Sequence, residues 1–254
     1  MFSKAIVRKV AESYVDGLSD DEELGPPDIH VARKQHEQYV EALQSCGLEV
    51  TVLEADEKYP DSLYVEDPAV VASNFAIITN PGAPSRTGEK HDMKKVLERF
   101  YNNIETIGTP GYLDGGDVIH GEDHYYVGLS ERTNREGAEQ FRAIVEKYGY
   151  TASFIPVNDF LHLKTGATYI GDNHMLVAGE FVDVSAFSSF NKIIVPEKEA
   201  YAANSLRVND HILMPKGFPD THRQLISLGF PIIEVEATEF QKKDGSLTCL
   251  SLRF

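Results

Sequence analysis

The sequence predicts an α/β protein made of five copies of one ββαβ module, arranged with pseudo-fivefold repetition and closed into a ring. Three observations predict it. Polar landmarks recur at near-constant spacing; each introduces two β-prone runs around a polar turn; and a helical stretch and a final strand follow. The landmarks are Glu66-Asp67, Asp114 with Asp117, His162, Asn204 and Cys249, and counted from 67, 114, 162, 204 and 249 the steps are 47, 48, 42 and 45 residues.

Each element has its own justification. The N-terminal run 5–10 reads as a strand, followed by a helix over 30–43 and a strand over 48–53. In the later modules the first strand reaches a turn at Ser73-Asn74, Gly121-Glu122-Asp123, Gly171-Asp172-Asn173 or Asn209-Asp210. A second apolar run follows directly (FAIIT, HYYVG, HMLVAG, HILMP), which is the hairpin signal. The next stretch is helical, clearest over 135–149, where Ala138, Phe141, Ile144 and Val145 share one face and Gly149 supplies the stop. Stretches 90–101 and 220–229 read the same way, with weaker support for VSAFSSF. Strands over 104–107, 152–157, 193–196 and 232–236 end the modules. The C-terminal run 250–254 is a first strand with no second, and the run 5–10 is a second strand with no first. Pairing them closes the ring, removes exposed sheet edges and brings the landmarks to a common channel. An ordinary open α/β sheet with polar strand ends is the competing arrangement.

Composition bounds the function. The chain has 254 residues with no linker-like segment, and the repeat assigns residues 1–254 to a single catalytic domain. With 24 Lys+Arg against 40 Asp+Glu the net charge is -16, which repels phosphate backbones; nucleic acid is not an expected partner and cationic ligands are. Two cysteines, Cys46 and Cys249, are too few for a disulfide framework and form no zinc-spaced cluster, so a reducing cytoplasm is the expected compartment. There is no apolar run of membrane-spanning length, no export signal and no nucleotide-binding glycine motif; neither membrane nor nucleotide is expected. The oligomeric state is open, a homodimer included.

The landmark set contains a nucleophile, a base and several carboxylates. A cysteine attacks as thiolate, and a histidine oriented by a carboxylate shuttles protons to a leaving amine. The remaining acids call for a cation, and a planar guanidinium matches carboxylates through paired donors. Singly, each residue has a bland reading. Cys249 would be a small buried hydrophobe, His162 a core histidine and Glu66-Asp67 a turn cap before Pro68. Cys46 reads as packing, and His120, Glu122, Asp123 and His124 as solvated turn residues or a metal site. Gly17-Leu18 and the acidic run 19–27 read as a mobile lid or a plain solvated loop.

The chain also resembles the dimethylarginine dimethylaminohydrolase family of the guanidine-modifying penteins. The likeness is carried by VDGL (15–18), YPDSLYVEDP (59–68), SRTG (85–88), LDGGD (113–117), ERTNREGA (131–138), LHLKTG (161–166), AAN (202–204) and DGSLTCLSL (244–252). The resemblance implies a five-bladed α/β propeller and hydrolysis of Nω-methylated arginine to citrulline, without metal or organic cofactor. It implies Cys249 as nucleophile, His162 as general acid/base and Asp114 as the acid that positions His162. Asp61, Glu66 and Asp67 would face the substrate's cationic groups, with Asp67 on the guanidinium. Arg86 and Arg132 would clamp the α-carboxylate, with Leu18 and Lys243 contributing backbone atoms. Two positions depart from the pattern: some members carry Glu where Asp114 stands, and position 243 is usually apolar. The alternatives are an arginine deiminase, against which Lys164 speaks, and a catalytically empty pentein binding protein.

Overall fold

The structure is a computed structural model that describes residues 1–19 and 24–254. Contacts divide the chain into two compact units, Met1–Tyr64 with Gly166–Phe254, and Val65–Thr165.

The first unit begins with β1 (Lys4–Arg8), α1 (Ile29–Ser45) and β2 (Glu49–Leu53). Asp28 caps α1 by accepting from the amides of His30 at 2.9 Å and Val31 at 3.1 Å, so two of the orphan donors of the helix are satisfied. The second unit holds β3 (Ala69–Val71), β4 (Ala76–Ile78), α2 (Glu89–Leu97), β5 (Ile104–Thr106), β6 (Val118–Gly121), β7 (His124–Leu129), α3 (Arg135–Lys147) and β8 (Thr151–Pro156). A short α4 (Leu163–Gly166) straddles the boundary. The first unit then resumes with β9 (Ala167–Tyr169), β10 (His174–Val177), β11 (Asn191–Ile194), β12 (Leu206–Val208), β13 (His211–Pro215), α5 (Pro219–Ser227), β14 (Ile232–Val235), α6 (Thr238–Gln241) and β15 (Leu252–Arg253).

These strands form five three-stranded sheets, β3-β4-β5 and β6-β7-β8 in the second unit, and β9-β10-β11, β12-β13-β14 and β15-β1-β2 in the first. In every sheet the middle strand pairs antiparallel with one neighbour and parallel with the other. This is the pairing a ββαβ module dictates, since a tight turn gives an antiparallel pair and a crossover gives a parallel one. The C-terminal strand joins the N-terminal one with Ile6 opposite Leu252, as the incomplete modules at the two ends predicted. The hairpin turns carry the expected left-handed residues, Glu122, Asp172, Asn173 and Asn209.

Each unit has its own core. In the second, Phe75, Ile77, Val127, Ala138, Phe141, Ile144 and Val145 pack together, so the apolar face read from α3 is the buried one. In the first, Tyr14, Tyr39, Leu43, Leu213, Phe240 and Leu250 cluster with Cys46, which is the packing residue it was expected to be.

Three elements differ from the sequence reading. VSAFSSF forms only a short 3-10 turn, Ser185–Phe187, because serines and β-branched valine leave it little helical preference. LKTGATYI begins as α4 rather than a strand, and the C-terminal run turns through a 3-10 segment, Leu247–Leu250, before β15 starts. Both shortened strands therefore leave His162 and Cys249 on turns, where side chains are freer to serve chemistry than on a fully paired strand. Among the described residues no helix is long and apolar enough to cross a membrane.

Candidate active site

In the second unit, LDGGD turns sharply just ahead of β6, as a 3-10 segment Gly115–Asp117 that Asp114 precedes. Asp114 is completely buried and its carboxylate is fully used. Oδ1 accepts from the Gly82 amide at 2.8 Å and Oδ2 lies 3.2 Å from His162 Nε2. Aspartate therefore reaches the histidine where some family members use the longer glutamate. Asp67 sits alongside, with Oδ1 accepting from the Gly116 amide at 3.1 Å and Oδ2 on Arg86 Nη1.

Gly116 is required by this crowding. A Cβ there would lie 2.8 Å from His162 Nδ1 and 2.9 Å from Asp67 Oδ1, closer than real side chains approach. The variant Gly116→Ala is expected to keep its circular dichroism spectrum and lose about 10²-fold in turnover. A displacement of roughly 1 Å in a catalytic group costs that much, and steady-state kinetics on the folded variant checks it.

Burial alone would lower the pKa of His162, but Asp117, the hydrogen bond to Asp114 and the charge of Asp67 outweigh it and hold the imidazole up to about 9. It is an imidazolium at neutral pH, hence a proton donor. Burial also opposes ionisation of Asp67, yet the Arg86 guanidinium and His162 beside it keep that carboxyl below its usual range. Asp117 goes the other way, raised by burial.

Arg86 and Glu66 show how the buried acids are neutralised. Arg86 is buried, forks onto Glu89 through Nε at 2.9 Å and Nη2 at 2.8 Å, and turns its remaining edge to Asp67. Its fork is thus turned inward rather than held open for a ligand carboxylate, because Asp67 and Glu89 are themselves buried and need a cation. Glu89 occupies the first turn of α2, where the helix dipole also favours a carboxylate. Lys164 Nζ meets Glu66 Oε1 at 2.5 Å with both side chains nearly buried. Arg132 is half-buried, and its backbone amide donates to Ser130 Oγ at 3.0 Å. The sequence reading missed Glu89 and the Glu66 partner role of Lys164; the i,i+3 spacing of Arg86 and Glu89 was the signal available for the first.

The first unit collects the other candidates. Cys249 lies in the 3-10 segment, and its amide donates to Ser246 O at 3.1 Å. The preceding Thr248 is clipped from both sides by Asn204, whose Oδ1 accepts the Thr248 amide at 3.0 Å and whose Nδ2 donates to Oγ1 at 3.1 Å. This explains the Asn204 landmark: it shapes the cysteine turn. Leu18, Asp61 and Lys243 form a second group. The Leu18 amide donates to Asp61 Oδ1 at 3.0 Å and Lys243 Nζ donates to Gly17 O at 2.8 Å, so the lysine side chain ties down the backbone beside Leu18. Residues 20–23 of the expected lid over 19–27 lie outside the described residues.

Asp67, Asp114 and His162 offer donor atoms within 4.8 Å of one another, the spacing of a metal site. Each is already engaged by protein, Asp67 by Arg86 and Gly116, and Asp114 and His162 by each other. His124, the other metal candidate, bonds Thr151 Oγ1 at 2.6 Å and Ser153 Oγ at 2.8 Å, and His120 stacks on Tyr125 at 4.3 Å. Neither cysteine is in a disulfide.

Residues 26–252 match the family model described as N,N dimethylarginine dimethylhydrolase, eukaryotic. The chain is 46% identical to the N(G),N(G)-dimethylarginine dimethylaminohydrolase of Pseudomonas aeruginosa, with 100% of both chains covered. A solved structure of the P. aeruginosa enzyme, a cysteine-to-serine variant complexed with citrulline, superposes with TM-score 0.98 at 46% identity over 100% of both chains. A second solved dimethylarginine dimethylaminohydrolase, a histidine-to-glycine variant as its adduct with S-methyl-L-thiocitrulline, gives the same score, identity and coverage. The five-module α/β propeller read from the repeats is therefore the fold of solved relatives, and the chain belongs to the dimethylarginine dimethylaminohydrolase family.

Proposed function

We propose that this protein hydrolyses Nω-methylated arginine, the asymmetric dimethyl and the monomethyl forms, to citrulline and dimethylamine or methylamine, through a covalent adduct on Cys249. The observation that carries the reading is the buried His162–Asp114 pair, 3.2 Å apart, with Asp67 already holding a guanidinium beside it, that of Arg86. Support comes from relatives solved as cysteine and histidine variants with citrulline and S-methyl-L-thiocitrulline.

The chemistry follows from the groups. Asp67 takes the substrate guanidinium in exchange for that of Arg86, and Arg86 with Arg132 then holds the α-carboxylate, while Asp61, Glu66, Leu18 and Lys243 serve the remaining polar groups. The Cys249 thiolate attacks the guanidinium carbon and forms a C–S bond. Imidazolium His162 gives its proton to the methylated nitrogen, the C–N bond breaks, and the amine leaves. The imidazole, now neutral, takes a proton from water, which adds to the thiouronium carbon. The C–S bond then breaks as the new hydroxyl gives its proton to solvent or the departing amine, releasing neutral citrulline and regenerating thiolate and imidazolium. No step calls for a metal or redox group. The protein is expected to act in the cytoplasm on a free small molecule, as one catalytic domain over 1–254, with a homodimer as the assembly to test.

Incubation with dimethylarginine and separate identification of the released base tests the reading. Dimethylamine with citrulline supports it; ammonia alone, with arginine as the better substrate, would replace it by a deiminase.

A further inference from the structure

The geometry points to Asp117 as a positioning residue that ties the His162 acid/base to the loop carrying Arg132. This rests on the proposed reaction for what the two tied groups do, but the tie itself is visible in the second unit alone.

Asp117 is completely buried and makes three accepted hydrogen bonds. Oδ1 accepts from the amide of Leu163, the residue after His162, at 2.9 Å. Oδ2 accepts from the hydroxyls of Ser130 at 2.7 Å and Thr133 at 2.6 Å. Those hydroxyls are themselves acceptors for the neighbouring backbone: Ser130 Oγ takes the Arg132 amide at 3.0 Å, and Thr133 Oγ1 takes the Asp114 amide at 3.2 Å. One carboxylate thus fixes the turn after His162, both sides of Arg132 and the backbone of the acid that orients the imidazole. The strand beside it leaves no slack, since a Cβ on Gly128 would sit 2.6 Å from Oδ1.

The donors are two hydroxyls and an amide. Each hydroxyl proton is directed at the carboxylate because the hydroxyl oxygen is occupied as an acceptor, an arrangement matched to an ionised acid and short of an acceptor for a protonated one. Burial resists that ionisation and on balance raises the carboxyl, with the charge of His162 and the three hydrogen bonds working against it. The groups whose charge bears on His162 in this unit are Asp67, Asp114 and Asp117, with burial opposing them. Asp67 is shared with Arg86 and Asp114 is bonded to the imidazole, whereas Asp117 acts on the imidazole through space and through the Leu163 amide.

The test is Asp117→Asn, with two readouts that a residue serving stability alone would leave in place. First, NMR titration of His162 without substrate should show its midpoint lowered by about 1–3 pH units, the usual effect of removing a nearby opposite charge. Second, an amide has one accepting oxygen where the carboxylate has two, so its NH2 must face either the Leu163 amide or the two hydroxyls, and the tie between the His162 turn and the Arg132 loop is broken. KM for dimethylarginine should rise about tenfold, the worth of one hydrogen bond to a charged group. The relative loss should shrink for N,N-dimethyl-N′-butylguanidine, which lacks the α-carboxylate. An unshifted His162 midpoint, or equal losses on both substrates, overturns the proposal. If Asp117→Asn does not fold, Thr133→Val with Thr133→Ser as its rescue replaces it. Thr133→Val should raise KM and Thr133→Ser restore it; equal KM values in the two variants overturn the proposal. Because the titration uses no substrate, it stands even if wild-type protein shows no dimethylarginine turnover, an outcome that overturns the reaction instead.

Discussion

Replacement of Cys249 by serine is expected to abolish turnover of dimethylarginine, with a loss on the order of 10⁴-fold or more, while the protein keeps its melting temperature to within a few degrees. The size follows from covalent catalysis: removing a nucleophile from a set that acts as a unit costs about as much as removing the whole set. A hydroxyl is a weak nucleophile at neutral pH because so little of it is ionised, whereas a thiol with an ordinary pKa of about 8.5 already supplies some thiolate. Structural damage should be slight. The turn is held by Asn204 on the amide and hydroxyl of Thr248 and by the Cys249 amide on Ser246 O, and none of these bonds involves Sγ. Single-turnover kinetics with mass spectrometry of the quenched protein gives the reading. Wild type should carry the adduct on Cys249 and the serine variant none. Cys46→Ser is the control. That thiol is buried at the end of α1, and burial raises its pKa, the Ser45 hydrogen bond opposing, so turnover should be unchanged within a factor of two or so. A serine variant that retains a tenth of the rate would remove Cys249 from the mechanism.

The outline of this fold was readable because each module repeats one local grammar. The 3.6-residue period over α3, the turn residues Asn209-Asp210 and the short β-prone runs are local properties, and they sit where tertiary structure needs them. The incomplete modules at the chain ends gave the β1–β15 pairing, a contact between distant residues, by counting alone. Side-chain partnership within the site was not readable in the same way. That Glu66 is neutralised by Lys164, and Asp67 by an Arg86 that also forks onto Glu89, depends on which cations the folded backbone brings to buried acids. Beyond the i,i+3 spacing of Arg86 and Glu89, the sequence carries no record of that choice. Asp117 illustrates the limit from the other side. It was visible as one of the recurring landmarks, but the two hydroxyls and one amide that give it a role come from positions 130, 133 and 163.

Loss of the imidazole in His162→Ala is expected to lower kcat by about 10²–10⁴-fold, the usual worth of general acid/base help, and the accompanying pH behaviour distinguishes an acid from a mere spacer. The folded imidazole is held up to about 9, above its ordinary 6.5; burial opposes the shift, while Asp117, the Asp114 bond and Asp67 cause it. The wild-type enzyme therefore carries the proton needed by the leaving amine throughout the neutral range, and the rate of amine release should fall as pH rises through about 9. The stability sign follows from the same shift. A group whose pKa is raised on folding adds stability that is fully present below the unfolded value near 6.5 and disappears as pH climbs to the folded value. The gap in melting temperature between wild type and His162→Ala, measured between pH 6 and 10, should narrow on the alkaline side, because the proton-linked part of the wild-type advantage is lost there while the packing part stays. Asp114→Asn gives the graded version, since it keeps the shape of the pair but removes one of the charges that favour the imidazolium. Its alkaline limb should move to lower pH. An alkaline limb that stays in place in Asp114→Asn, together with parallel melting curves for wild type and His162→Ala, would mean that His162 is neutral in the folded protein and that the leaving amine takes its proton from elsewhere.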